Sequence, residues 1–250
     1  MGKLDNKVAI VSGASSGVGR GVAKVLAKEG AKVCMCARRL DKLEALAEEI
    51  RQAGGEALPV ACDVLEADQI ENVVLQCVQT YGGVDILVNL AQGAMLYRPL
   101  EEIDDDYALL AYHSGALGTL RFMRACFPYL KKSGHGRIIN TASAAGYDGS
   151  AGFGAYGMAK EAIRAITRTA ANEWAQYGIT SNVFLPIITT DNFRETQPQA
   201  LAYLEAQSPL KRIGTVEEDC GPIIAFIASD EAGYLNGQSF MLDGGLHMHS

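Results

Sequence analysis

The stretch "KVAIVSGASSGVGRGVAKVLAKEG" (Lys7 to Gly30) limits the possible folds more than any other part of the chain. A short β-branched apolar run stops at glycine, and a turn of small residues follows. Val18, Val22, Val25 and Leu26 then recur at helical spacing until Gly30. The run reads as a buried strand and the valines as the apolar face of a helix. "KVCMCA" and "ALPVACDV" repeat the pattern, each followed by an amphipathic helix ("LDKLEALAEEIRQAGG", "ADQIENVVLQCVQTYGG"). "VDILVNLA", "GRIINTAS", "ITSNVFLP" and "GQSFMLDGG" supply further strands. Strand and helix alternating through short glycine-containing links predict an α/β fold: a Rossmann-type, doubly wound parallel sheet with helices on both faces. No composition break marks a linker and no fixed-period repeat occurs, so residues 1–250 read as one domain.

With 48% hydrophobic and 20% charged residues the chain can bury a substantial core. A net charge of −7 without a lysine-rich block argues against a nucleic-acid surface. No uninterrupted apolar run approaches the ~20 residues of a membrane span, and the N-terminus lacks an apolar signal core. Cys34, Cys36, Cys62, Cys77, Cys126 and Cys220 sit mostly inside apolar runs and read as buried reduced thiols. A cytoplasmic protein without a metal site is expected.

In such folds ligands bind beyond the carboxyl ends of the strands. "SGASSGVG" (Ser12 to Gly19) lies there after the first strand. Gly13 allows the tight turn, Gly17 a close approach of the backbone to a pyrophosphate, and Gly19 close helix packing. The free N–H groups of the helix favour the negative charge. After the second strand "CARR" offers Arg38 and Arg39 where an acid would accept from a ribose, which favours NADP(H) over NAD(H). Asp63, after the third strand, could accept from an adenine amino group or cap the next turn. Asn89, Ala91 and Gln92 lie along the same path after the fourth.

"GAYGMAKEAI" spaces Tyr156 and Lys160 one helical turn apart. A phenol titrates near ~10, so it serves as a base at neutral pH only if its phenolate is stabilised, and Lys160 supplies a nearby positive charge. Ser143, closing "GRIINTAS", can donate to a substrate oxygen. Hydride transfer between a nicotinamide and a carbinol carbon would accompany proton transfer at Tyr156, with no metal required.

The ordered set of the glycine-rich turn, "CDV", "NTAS", "AYGMAK" and "LDGG" spans nearly the whole chain and resembles the short-chain dehydrogenase/reductase family. The resemblance implies an NAD(P)-dependent oxidoreductase and a homotetramer. It assigns Ser143, Tyr156 and Lys160 to catalysis. It places Ser15, Ser16, Val18, Val64, Pro186, Thr189 and Thr190 along the cofactor beside the residues already named, with Lys160 also holding the nicotinamide ribose. Gln92, Ser143, Tyr156 and Phe193 would face the substrate.

The family pattern breaks at four places. An asparagine that usually serves a water relay is replaced by Gly115, "NNAG" becomes "NLAQ", Pro-Gly becomes Pro186-Ile187, and Asp191 stands where a threonine is usual. Thr189 and Thr190 could substitute at the last site. A water in the space at Gly115, with His113 or Ser114 near it, could restore the relay. The Ser-Gly and Ala-Gln replacements, with "RFMRACFPYLK" and "INTASAAG", are similar to clostridial 12α-hydroxysteroid dehydrogenases, which act on bile acids.

Residues 186–214 occupy the place of the family's substrate lid. Phe193, Leu201, Tyr203, Leu204 and Leu210 would form an apolar wall there, and Arg194, Lys211 and Arg212 would meet an anionic tail. Packing of an amphipathic helix on the sheet would explain the same pattern. Met95, Leu96 and Tyr97 are expected at the opposite rim, while His247 and His249 are expected to be solvated or packed on a neighbouring subunit. Two alternatives accompany the steroid reading: reduction of another ketone, such as a 3-oxoacyl thioester or a cyclic ketone, and a nucleotide-binding sensor without turnover.

Overall fold

In a computed structural model that describes residues 2–93 and 96–248, the alternation becomes a seven-stranded, all-parallel sheet. The chain runs β1 (Val8–Ser12), α1 (Gly17–Lys28), β2 (Lys32–Ala37), α2 (Leu40–Gln52), β3 (Glu56–Ala61), α3 (Ala67–Tyr81) and β4 (Ile86–Asn89). Helix α4 (Asp105–Tyr112) then passes through a π-helical turn (His113–Leu117) directly into α5 (Gly118–Ser133). Strand β5 (Arg137–Thr141), α6 (Ala144–Asp148), α7 (Gly154–Glu173) and β6 (Thr180–Pro186) follow. A two-stranded ladder, β7 (Ile188–Thr189) with β8 (Gly214–Thr215), brackets α8 (Asp191–Thr196) and α9 (Pro198–Gln207) before α10 (Gly221–Ala228) and β9 (Ser239–Leu242).

The strand order is β3-β2-β1-β4-β5-β6-β9. The chain therefore reverses direction across the sheet between β1 and β4, and a crevice opens at their carboxyl ends. Pro59, which cannot donate to a ladder, is tolerated because β3 lies at the sheet edge.

Alternate residues of β1 and β2 feed two apolar layers. Ala9, Val11, Val33 and Met35 pack with α1, α2 and α10, while Val8, Ile10, Cys34 and Cys36 pack with α3 and α5. Both faces of these strands are covered, which explains their uninterrupted apolar sequence. Phe122, Phe184 and Met35 are fully buried, each contributing about 1.5–3 kcal/mol of transfer free energy. All six cysteines are buried and free, as expected. Among the described residues no helix is long and apolar enough to cross a membrane.

Candidate active site

The glycine-rich turn connects β1 to α1 at the crevice. Gly17 has a φ of +55°, and a Cβ built on it would meet only Thr190, so the backbone there is open to a ligand. A Cβ on Gly19 would lie 2.4 Å from the carbonyl oxygen of Gly13, which is why the helix can begin only with glycine at that position. Ser16 caps α1 without a side-chain hydrogen bond to it, and no acid occupies the helix's first turn. A cradle of free N–H groups results. Arg39 reaches over it, donating to Ser15 Oγ at 2.9 Å and Ser16 Oγ at 2.8 Å.

A cleft of about 600 Å³ runs from this turn across the strand ends. Gly13, Ser15, Ser16, Val18, Gly19, Arg38, Arg39, Asp63, Val64, Ala91 and Pro186 line it, together with Gln92, Ser143, Tyr156 and Lys160. These residues fit an elongated dinucleotide with phosphates on the cradle and its other end at the tyrosine. Asp63 lines the cleft, and its Oδ1 accepts from Leu65 N at 3.1 Å. Thr189 and Thr190 line a second hollow across the turn with Gly17, Arg20, Lys42 and Arg194. Thr190 Oγ1 caps α8 by accepting from Phe193 N at 3.3 Å.

Asn89 is not on the cleft wall. It is buried below it, donating to Asn140 Oδ1 at 2.9 Å, and Asn140 in turn donates to Thr167 Oγ1 at 2.9 Å. This chain of side chains ties β4, β5 and α7 together beneath the site. Phe193 is half-buried on α8 and is absent from the residues lining either hollow.

Ser143, Tyr156 and Lys160 converge at the far end of the cleft. Ser143 caps α6, its Oγ accepting from Ala145 N at 3.2 Å. Lys160 is 2% exposed and its Nζ donates to Thr141 O at 2.9 Å. Burial lowers the Lys160 pKa from 10.5 to about 7. The Nζ lies 5.4 Å from the centre of the Tyr156 ring. Burial also raises the Tyr156 pKa above its ordinary value, against the opposing effect of a hydrogen bond with Ser143. Desolvation is the larger of these two effects on the phenol. Tyr97 and Tyr156 each meet Phe153 edge-on with ring centres 6.3 Å apart.

The position of a side chain at Gly115 is already filled. A Cβ there would lie 2.3 Å from Gln92 Oε1, so the Gln92 carboxamide already occupies that volume. His113 is exposed, and Ser114 Oγ is engaged, donating to Leu110 O at 2.6 Å and accepting from Gly93 N at 3.0 Å. The expected cation cluster for an anionic tail also disperses. Arg212 pairs with Asp219, Lys211 donates to Ala206 O at 3.0 Å, and Arg194 faces the hollow beside the glycine turn. Helix α9 buries none of its residues, and Tyr203 and Leu210 are exposed. His247 bridges within the chain, Nε2 to Asp148 and Nδ1 to Asp243, both at 2.9 Å. Met95 and His249 lie outside the described residues, and the Asp191 side chain is likewise not described.

A family model described as enoyl-(acyl carrier protein) reductase matches residues 13–247. A 12α-hydroxysteroid dehydrogenase from Clostridium sp. is 36% identical over 256 residues, covering 98% of both chains. The chain belongs to the short-chain dehydrogenase/reductase family. A 3-oxoacyl-(acyl-carrier-protein) reductase from Staphylococcus epidermidis is 34% identical over 97% of this chain and 100% of the relative. The crystal structure of a candidate short-chain alcohol dehydrogenase from Sinorhizobium meliloti 1021 superposes with a TM-score of 0.90 at 30% identity, covering 97% of each chain.

Sequence reasoning missed several residues that shape this short-chain dehydrogenase/reductase site. Ser12 Oγ accepts from Leu90 N at 3.0 Å and Ala91 N at 3.3 Å, fixing where β4 exits the sheet. Leu110, Ile188 and Ala142 line the cleft. A serine ending a strand was a readable signal; the other three are ordinary apolar residues with no local mark.

Proposed function

We propose that this short-chain dehydrogenase/reductase interconverts a secondary alcohol and a ketone, that it prefers NADP(H), and that its substrate is a hydroxysteroid of the bile-acid type. The convergence of Ser143, Tyr156 and the buried Lys160 on one cleft with the glycine-rich cradle carries the alcohol–ketone reading. Arg38 and Arg39 on the cleft wall, with neutral Ala37 at the end of β2, support NADP(H), because a guanidinium fork suits a 2′-phosphate. The Clostridium relative supports the steroid.

A nicotinamide dinucleotide held by the cradle supplies or accepts the hydride. Ser143 donates to the substrate oxygen and orients it toward Tyr156. In reduction Tyr156 Oη gives its proton to that oxygen; in oxidation its phenolate removes the hydroxyl proton. Lys160 opposes the phenolate's charge, and its bond to Thr141 O fixes its Nζ below the ring. Burial of both groups strengthens their electrostatic coupling.

The Staphylococcus relative supports a second reading, reduction of a 3-oxoacyl thioester. We further propose a cytoplasmic homotetramer folded as one domain, in which residues 186–214 form the substrate lid. The exposed apolar side chains of Leu109, Tyr112 and Met158 support assembly. Light scattering after gel filtration tests it.

The functional test follows absorbance at ~340 nm with NADP or NAD and a panel of bile acids, cyclic alcohols and acetoacetyl thioesters. Turnover of a 12-hydroxy bile acid with NADP, lost in Tyr156→Phe, is the expected result. Turnover of the thioester alone would select the second reading. Silence across the panel with NADPH still bound would leave the sensor.

A further inference from the structure

The contact between Gln92 and Gly115 combines three locally unfavourable features. Gly115 sits in a π-turn inside a long helix with no positive φ, where alanine would be the better residue. The three nearest atoms a Cβ at 115 would meet all belong to one carboxamide: Gln92 Oε1 at 2.3 Å, Cδ at 3.0 Å and Nε2 at 3.1 Å. Gln92 Oε1 is itself buried with no hydrogen-bond partner among the described residues. Such costs gathered beside reacting groups point to a functional constraint.

The carboxamide is not free to step aside. Its Nε2 donates to Gly93 O at 2.7 Å and Ala111 O at 3.2 Å, which fixes which end is nitrogen and leaves Oε1 against Gly115. Ser114 adds a second tie between the same loop and helix by accepting from Gly93 N. Gln92, Gly93, Leu110 and Ser114 all line the cleft that holds Tyr156 and Ser143. A side chain at 115 would break the Nε2 bonds and drive the carboxamide out of its seat, and the cleft is the open space beside it.

We propose that Gln92 and Gly115 are a coupled, specificity-determining pair: the missing side chain at 115 seats the Gln92 carboxamide in the helix wall and keeps the substrate end of the cleft clear for a bulky ketone. Both are positioning residues, since neither moves a proton or a hydride. The inference rests on the alcohol–ketone reading for its kinetic consequence, but the pairing itself does not depend on turnover.

The test is a double-mutant cycle of Gly115→Ala and Gln92→Ala, read by kinetics and by melting. Gly115→Ala alone is expected to raise the ratio of KM for the largest ketone accepted to KM for the smallest about tenfold. On the Gln92→Ala background the same Gly115→Ala substitution should leave that ratio little changed. Gly115→Ala should also raise Tm more on the Gln92→Ala background than in the wild type, because helix propensity is then gained without expelling the carboxamide. Independent effects of the two substitutions on both KM and Tm would overturn the inference. So would equal losses for large and small ketones. Absence of wild-type turnover would count against the functional reading, while the melting cycle would still decide the pairing.

Discussion

The ammonium of Lys160 donates to the carbonyl oxygen of Thr141 at 2.9 Å, joining α7 to the carboxyl end of β5 at the point where Ser143 follows two residues later. One neutral acceptor is modest compensation for a cation buried to 2% exposure. The group therefore costs the fold stability while serving the site.

Substituting Lys160 by methionine should abolish turnover and stabilise the protein. The folded-state pKa, about 7, lies below the 10.5 of the unfolded chain, so the unfolded state binds more protons between those values. Stability contributed at this position accordingly rises with pH across that window and falls as pH drops toward 7. The full difference corresponds to about 5 kcal/mol as an upper bound. Urea denaturation of wild type and Lys160→Met at pH 7 and pH 9 checks it. The wild-type slope attributable to Lys160 should vanish in the variant, and a less stable variant would contradict the reading.

Arg39 links the cradle to the end of β2 through its bonds to Ser15 and Ser16. If the guanidinium also meets a 2′-phosphate, Arg39→Ala should lower kcat/KM for NADP by about 10–100-fold, the weight of one or two charge-assisted hydrogen bonds. The value for NAD should change much less. Ala37→Asp, which restores an acceptor for the ribose, should move the preference further toward NAD. Equal losses with both cofactors would instead assign Arg39 to holding the turn.

Gly19 lies in the first turn of α1, where a Cβ would overlap the carbonyl oxygen of Gly13, so its absence lets helix and turn pack together. Gly19→Ala would gain helix propensity yet place a methyl 2.4 Å from backbone that cannot rotate away. The overlap should dominate, costing about 1–3 kcal/mol and displacing the cradle. Thermal melting with and without NADPH is the check, with both the basal Tm and the ligand-induced shift expected to fall.

How much of this was legible depended on how local each signal was. The alternation of "KVAIVSG" with helical valines is a local pattern, and it became β1 and α1 directly. Gly13, Gly17 and Gly19 were readable because backbone geometry at a turn restricts the residue itself. Tyr156 and Lys160 were readable because one helical turn separates them. Asn89 reads as a cofactor neighbour because it ends the fourth strand, yet strand alternation turns its side chain inward to Asn140. Arg212 reads in the sequence as a cation free for an anionic tail, because its partner Asp219, on the π-helical turn Val216–Cys220, meets it only when the chain folds. Gln92 and Gly115 were separately visible as departures, but only the packing of the β4 exit against the helix shows that one fills the other's space.

The buried Asn89–Asn140–Thr167 chain gives the last prediction. Asn140 is fully buried, accepts from Asn89, and donates to Thr167 Oγ1 and weakly to Met123 Sδ at 3.6 Å. Asn140→Ala leaves the Asn89 amide without its acceptor in a region closed to solvent, where an unpaired polar group costs about 1–3 kcal/mol, and it adds a cavity. Asn140→Leu fills the volume but cannot satisfy Asn89, so packing alone does not rescue it. Both variants should therefore lose stability in urea titrations. Restoration by Leu to wild-type stability would show that volume, not the polar chain, governs this position. Because the chain joins β4 and β5 directly beneath the cleft, each loss should be accompanied by weaker NADPH binding, measurable by fluorescence titration on the same samples.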